Sequence, residues 1–154
     1  MFDVPMWASE FDISKQFRID KTETEHTKPK RSKPTVLVVD DERLIAETTR
    51  EILKRAGYDA LTAFDGETAL AMALQFQPEF VLTDIVMPKM NGVDLAIALR
   101  KSLPKTEIVL LSGQAGIMDI LEDARNEGYS FELIGKPVHP ERILERLRKS
   151  LNSK

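Results

Sequence analysis

The stretch Val36-Leu37-Val38-Val39-Asp40-Asp41 decides the fold. Its four apolar residues run without polar interruption, the pattern of a strand buried on both faces. Two aspartates end it. Downstream, Asp41 to Ala56 carries Ile45, Thr49, Ile52, Leu53 and Ala56 on one helical face, and Gly57 supplies a stop. The alternation then repeats. Asp59 to Phe64 reads as a second strand, followed by a helix capped by Asp65 and running through Leu74. Phe80 to Leu82 is a third strand, and Asn91 caps a helix ending near Lys101. Glu107 to Leu111 is a fourth strand. Ile117, Ile120, Leu121 and Ala124 mark the helix after it, with Gly128 beyond. Phe131 to Ile134 is the fifth strand, and Pro140 opens a last helix carrying Ile143, Leu144, Leu147 and Leu151.

Five repeats of strand then helix imply an α/β domain whose parallel sheet is covered on both faces. Residues 1–34 differ in character. They are irregular and polar, and end in the proline-bounded basic run Lys28-Pro29-Lys30-Arg31-Ser32-Lys33-Pro34, a composition that disfavours packing. The expected organisation is a flexible N-terminal extension and basic linker over 1–34, then one domain over 35–152. Within the extension, Pro5 precedes Trp7, Phe11, Ile13 and Phe17 at near-helical spacing, which suits either a short docking helix or an unstructured tail.

Composition narrows the class. With 154 residues, 42% of them apolar, the chain can bury one hydrophobic core without covalent staples. It has no cysteine, which excludes disulfides and thiolate metal sites. A net charge of -3 gives the whole protein no broad attraction to nucleic acid. No apolar run is long enough to span a bilayer. Met1 to Ala8 lacks the basic start and apolar stretch of a signal peptide, so a cytoplasmic location is expected.

In open parallel α/β sheets, ligands bind beyond the carboxyl ends of the strands, where strand order reverses. Here those ends carry Asp40 and Asp41 on the first strand, Asp84 on the third, Ser112 and Gly113 on the fourth, and Lys136 and Pro137 just past the fifth. Three carboxylates, a hydroxyl and an ammonium are therefore expected on one rim. Close carboxylates repel at neutral pH and need a cation or a proton. An all-oxygen site without cysteine or nearby histidine favours a hard divalent ion, magnesium above others, which leaves room for a phosphoryl oxygen. Lys136 as a point charge and Ser112 as a hydrogen-bond donor would complete an oxyanion cradle. Asp84 is the candidate nucleophile, because carboxylates form acyl phosphates. Gly113 keeps the site open to the incoming group.

The pieces Val36 to Glu42, Val81-Leu82-Thr83-Asp84-Ile85-Val86-Met87-Pro88, Leu110-Leu111-Ser112-Gly113 and Gly135-Lys136-Pro137 together resemble the receiver domain of bacterial two-component response regulators. The resemblance covers roughly residues 34–152, and four pieces in the right order on the right strand ends are highly specific. It implies a flavodoxin-like (βα)5 three-layer sandwich with strand order 2-1-3-4-5. It also implies Mg2+-dependent phosphoryl transfer to aspartate from a histidine kinase or histidine phosphotransfer protein. By that resemblance Asp84 is the phosphoacceptor, Asp41 the direct metal ligand, and Asp40 its neighbour acting through water. Val86 offers a backbone carbonyl to the metal. Ser112 and Lys136 sense the phosphoryl group, and the Lys136–Pro137 bond is cis in many relatives. One departure stands out: the family often has an aromatic residue three positions before the lysine, and here that position is Leu133.

Blander readings accompany these. Asp40 and Asp41 also suit a helix N-cap. Lys136 also suits a counter-charge in a domain that never takes phosphate. His139 sits where a cap belongs, and His26 carries no assigned chemistry. Met87, Met90 and Met118 read as core or surface packing. Three functions compete: a stand-alone phosphoacceptor, a non-phosphorylated interaction module of the same fold, and an aspartyl-phosphate hydrolase. The hydrolase reading expects a second aspartate two residues after the nucleophile, where Val86 stands. The leading expectation is a non-enzymatic signalling domain. It has no nucleic-acid domain after the fifth helix, contacts its downstream protein through about 115–151, and exists as a monomer or phosphorylation-dependent dimer.

Overall fold

The structure, a computed structural model, describes residues 33–113 and 117–152. Trp7 and its neighbours, His26 and most of the basic run lie outside the described residues. The elements alternate as β1 (Thr35–Val39), α1 (Arg43–Arg55), β2 (Asp59–Ala63), α2 (Gly66–Phe76), β3 (Phe80–Asp84), α3 (Gly92–Ser102), β4 (Glu107–Ser112), α4 (Met118–Asn126), β5 (Glu132–Gly135) and α5 (Pro140–Asn152). The strands pair in parallel in the order β2-β1-β3-β4-β5, the flavodoxin-like arrangement expected.

Two cores follow from strand alternation, because successive side chains point to opposite faces. Val36, Val38, Phe80, Leu82, Val109 and Leu111 meet Ala46 and Leu53 of α1 and Ile143 and Leu147 of α5. Leu37, Val39, Val81, Ile108 and Leu110 face α2, α3 and α4 through Ala69, Ala73, Leu95, Leu99 and Leu121. Hence the three layers. Both capping aspartate and asparagine act as read. Asp65 Oδ1 accepts from Thr68 N at 2.7 Å, and Asn91 Oδ1 accepts from Asp94 N at 2.8 Å. His139 Nδ1 accepts from Glu141 N at 3.3 Å at the start of α5, a weak cap. Met87 is buried and Met90 packs against the core, whereas Met118 is 61% exposed.

Two local expectations need correction. The first helix begins at Arg43, not Asp41, because Asp40 Oδ1 accepts from Glu42 N at 2.9 Å and holds residues 40–42 in a turn. Its buried face then centres on Ala46 and Leu53, and Ile45, one step of about 100° round the helix, is 39% exposed. The fifth strand runs Glu132–Gly135, one residue later than read. Phe131 lies before it, packed against the core, with the Arg100 guanidinium 5.0 Å over its ring. Among the described residues, no helix is long and apolar enough to cross a membrane.

Candidate functional site

Register places the chemistry. Asp40 follows β1, and its N–H bonds Ala63 O at 3.1 Å across the gap to β2. Asp84 ends β3 opposite Leu111, so Ser112 lies one residue beyond it on β4, paired with Gly135. Lys136 N donates to Ser112 O at 2.7 Å, and the Lys136–Pro137 bond is cis. The strand ends therefore bring the expected residues to one rim.

Carboxylate oxygens of Asp40, Asp41 and Asp84 all lie within 4.8 Å of one another. Asp40 is buried, Asp84 half-buried and Asp41 exposed. Lys136 Nζ donates to Asp40 Oδ2 at 2.8 Å and stands 3.7 Å from Asp84 Oδ2. Asp84 Oδ1 accepts from Ile85 N at 2.9 Å. Burial pushes the Asp84 carboxyl above its ordinary value; Lys136 opposes that rise, and Asp40 and Asp41 add to it. Burial alone would pull Lys136 down, but its hydrogen bond to Asp40 and the charges of Asp40, Asp84 and Glu42 carry it above its ordinary value. The lysine is thus committed first to Asp40, and Asp84 stays electrostatically under-compensated.

The donor set fits a hard divalent cation: three carboxylates converge, and the lysine neutralises one of them. Ser112 Oγ is buried and has no hydrogen-bond partner among the described residues, so it has bonding capacity for an oxyanion. Val86 lies in the loop after β3 with its side chain exposed. At Gly113, a Cβ would sit 3.1 Å from Lys136 Cβ, so the glycine spares the lysine stem.

The response regulator receiver domain family matches residues 36–148. The chain belongs to that family. TcrX, a probable transcriptional regulatory protein of Mycobacterium tuberculosis, is 34% identical over 114 residues, covering 74% of this chain and 48% of TcrX. The DNA-binding transcriptional regulator NtrC of Azospirillum brasilense is 30% identical over 122 residues, covering 79% of this chain and 25% of NtrC. The chain spans about half or less of the length of these relatives. Among solved structures, the CheY-like receiver domain protein of Methanospirillum hungatei superposes with a TM-score of 0.71 at 29% identity, covering 79% of this chain and 96% of that one. The chemotaxis protein CheY4 of Vibrio cholerae gives 0.67 at 29% identity, covering 77% and 98%. The acidic cluster is consistent with a receiver's Mg2+ site.

Some neighbours of the site were not singled out in the sequence. Thr83 Oγ1 donates to Asp84 O at 2.9 Å. Arg43 sits 4.0 Å over the Phe64 ring, just past the end of β2. A β-strand threonine is common enough to carry no signal, and the arginine–phenylalanine pair joins residues 21 positions apart. Leu133 is 39% exposed on β5.

Proposed function

We propose that this receiver domain accepts a phosphoryl group on Asp84 from the phosphohistidine of a histidine kinase or histidine phosphotransfer protein. It then signals through phosphorylation-dependent protein contacts. The observation that supports this reading is the grouping of Asp40, Asp41 and Asp84 within 4.8 Å beside Lys136. An Asp84 oxygen attacks phosphorus, the P–O bond forms as the P–N bond breaks, and the electron pair returns to the imidazole nitrogen. Lys136 and the free hydroxyl of Ser112 hold the phosphoryl oxygens. Asp40, Asp41, Asp84 and the Val86 carbonyl would hold Mg2+, which when bound offsets negative charge on the transferred group. With Val86 two residues past Asp84, no general acid stands there to speed hydrolysis, so the phosphorylated state decays slowly.

A groove of about 320 Å3 between α1 and α5 begins beside the site and is lined by Leu44, Ile45, Ile52, Val138 and Ile143 among others. Leu44, three residues past Asp41, is 78% exposed. A protein donor that reaches Asp84 would rest on this groove. Output contacts would use the α4–β5–α5 surface, where Met118 and Leu133 expose apolar area; residues 114–116 lie outside the described residues.

Phosphotransfer from candidate histidine kinases tests the reading. Label is expected on the parent chain and absent from Asp84→Asn; label that persists in Asp84→Asn removes the assignment. No uptake from kinases or acetyl phosphate, and no amide shifts at Ser112 and Lys136 with Mg2+ and beryllofluoride, would favour the non-phosphorylated interaction module.

A further inference from the structure

β3 ends on Asp84, and α3 begins on Gly92. The two ends touch. A Cβ at Gly92 would lie 2.0 Å from the carbonyl oxygen of Asp84, 2.9 Å from its carbonyl carbon and 2.9 Å from Ile85 Cα. All three are backbone atoms, so no rotamer change relieves the overlap. Gly92 N also donates to Ile85 O at 2.8 Å. The peptide unit between Asp84 and Ile85 is held from its other sides too. Thr83 Oγ1 donates to its carbonyl oxygen at 2.9 Å. Its N–H, that of Ile85, points both to Leu111 O at 3.1 Å and to Asp84 Oδ1 at 2.9 Å. A peptide unit is planar, so the direction of its carbonyl sets the direction of its N–H.

We propose that Gly92 is a positioning residue for Asp84: lacking a Cβ, it lets α3 seat directly on the Asp84–Ile85 peptide. That seat aims the Ile85 N–H that holds the Asp84 carboxylate. The inference rests on the reading of Asp84 as phosphoacceptor and metal ligand. It deepens that reading by naming what orients the carboxylate. Binding constellations require their reacting oxygens within fractions of an ångström, so a backbone displacement at this point is felt as lost rate.

A purely structural role for Gly92 makes a different prediction, and Gly66 provides the contrast. Gly66 is also buried at the first position of a helix, and a Cβ there would lie 2.9 Å from Met90 Cβ and 3.0 Å from Met90 O. Substitution there also crowds its neighbours, more mildly because the closest atoms are those of the Met90 side chain, and without the overlap with Asp84.

The full chain carrying Gly92→Ala or Gly66→Ala is compared with the parent by thermal unfolding, by the rate of phosphorylation from acetyl phosphate at saturating Mg2+, and by the Mg2+ midpoint read from the Ile85 amide resonance. Both variants are expected to melt earlier. Only Gly92→Ala is expected to slow phosphorylation by about tenfold or more and to raise the Mg2+ midpoint. Phosphorylation of Gly92→Ala within about twofold of the parent overturns the proposal, as does an equal loss in Gly66→Ala. If Gly92→Ala does not fold, Thr83→Val removes the hydrogen bond to the same carbonyl. A severalfold slower rate supports the proposal, and an unchanged rate overturns it. A parent that takes no phosphate defeats the proposed function, while the Mg2+ midpoint still reads Gly92. A parent that takes phosphate while its Ile85 amide ignores Mg2+ overturns the proposal and leaves the phosphoacceptor reading standing.

Discussion

β3 and β5 both lead into the acidic rim, but they stand in opposite surroundings. β3 lies between β1 and β4, and its first four residues are buried. β5 is an edge strand in which only Ile134 is buried. Its attachment is supplemented from outside by Arg146 of α5, which pairs with Glu132 of β5 at 2.5 Å and with Glu107 of β4 at 3.4 Å. Two of the three rim carboxylates, Asp40 and Asp84, thus lie at the ends of central strands, and the compensating ammonium of Lys136 follows the exposed edge strand.

Substitutions at the two strands should separate these roles. The largest effect is expected from Asp84→Asn, which abolishes phosphoryl uptake completely; residual uptake measured by radiolabel would locate the acceptor elsewhere. Next comes Lys136→Met. It leaves the buried Asp40 carboxylate without its counter-charge, with only the Glu42 N–H still donating to it, costs about 2 kcal/mol in denaturant unfolding, and sharply slows phosphorylation. An unchanged unfolding midpoint would mean that Asp40 finds another partner. In the centre, Leu82→Ala is expected to lose about 3 kcal/mol, since Leu82 is fully buried between β1 and β4. At the edge, Leu133→Ala is expected to change stability by no more than about 0.5 kcal/mol. Its measurable consequence should be weaker binding of a downstream protein. If Leu133→Ala destabilises as much as Leu82→Ala, the contrast between centre and edge collapses.

The subtlest test is in pH. Asp84 has its carboxyl raised in the folded state. Its stabilising contribution is therefore present below the unfolded value and is lost as pH rises through the folded one. Asparagine cannot ionise, so Asp84→Asn should melt above the parent by a few degrees at pH 7. The gap should shrink as pH falls into the carboxylate range. Mg2+ should also narrow it, because the cation stabilises only the chain that binds it. A gap independent of both pH and Mg2+ would mean that repulsion at Asp84 does not limit stability.

Much of this was legible in the chain itself. Doubly buried strands and amphipathic helices are local patterns, so the alternation from Val36 to Leu151 could be read without coordinates. The site was legible for a related reason: in a parallel sheet every strand points the same way, so polar residues at strand ends must share a rim. Asp40, Asp84, Ser112 and Lys136 declared themselves by that position. Other features needed more than pattern. Ile45 and Ala46 are adjacent and both apolar, and the turn made by Asp40 and Glu42 decided which of them faces the sheet. Phe131 suits a strand by composition, yet it packs before β5 begins, under Arg100.

The sequence alone determined the order of elements and the kind of chemistry at the rim, because both depend on residue type and short-range period. Tertiary structure decided which groups interact at that rim. Lys136 lies 2.8 Å from Asp40 and 3.7 Å from Asp84, a preference that no spacing in the chain encodes. Gly92 abuts the Asp84 carbonyl for the same reason. Such contacts are set to within an ångström by how α3 and β5 settle on the sheet, and packing of the whole domain fixes that distance.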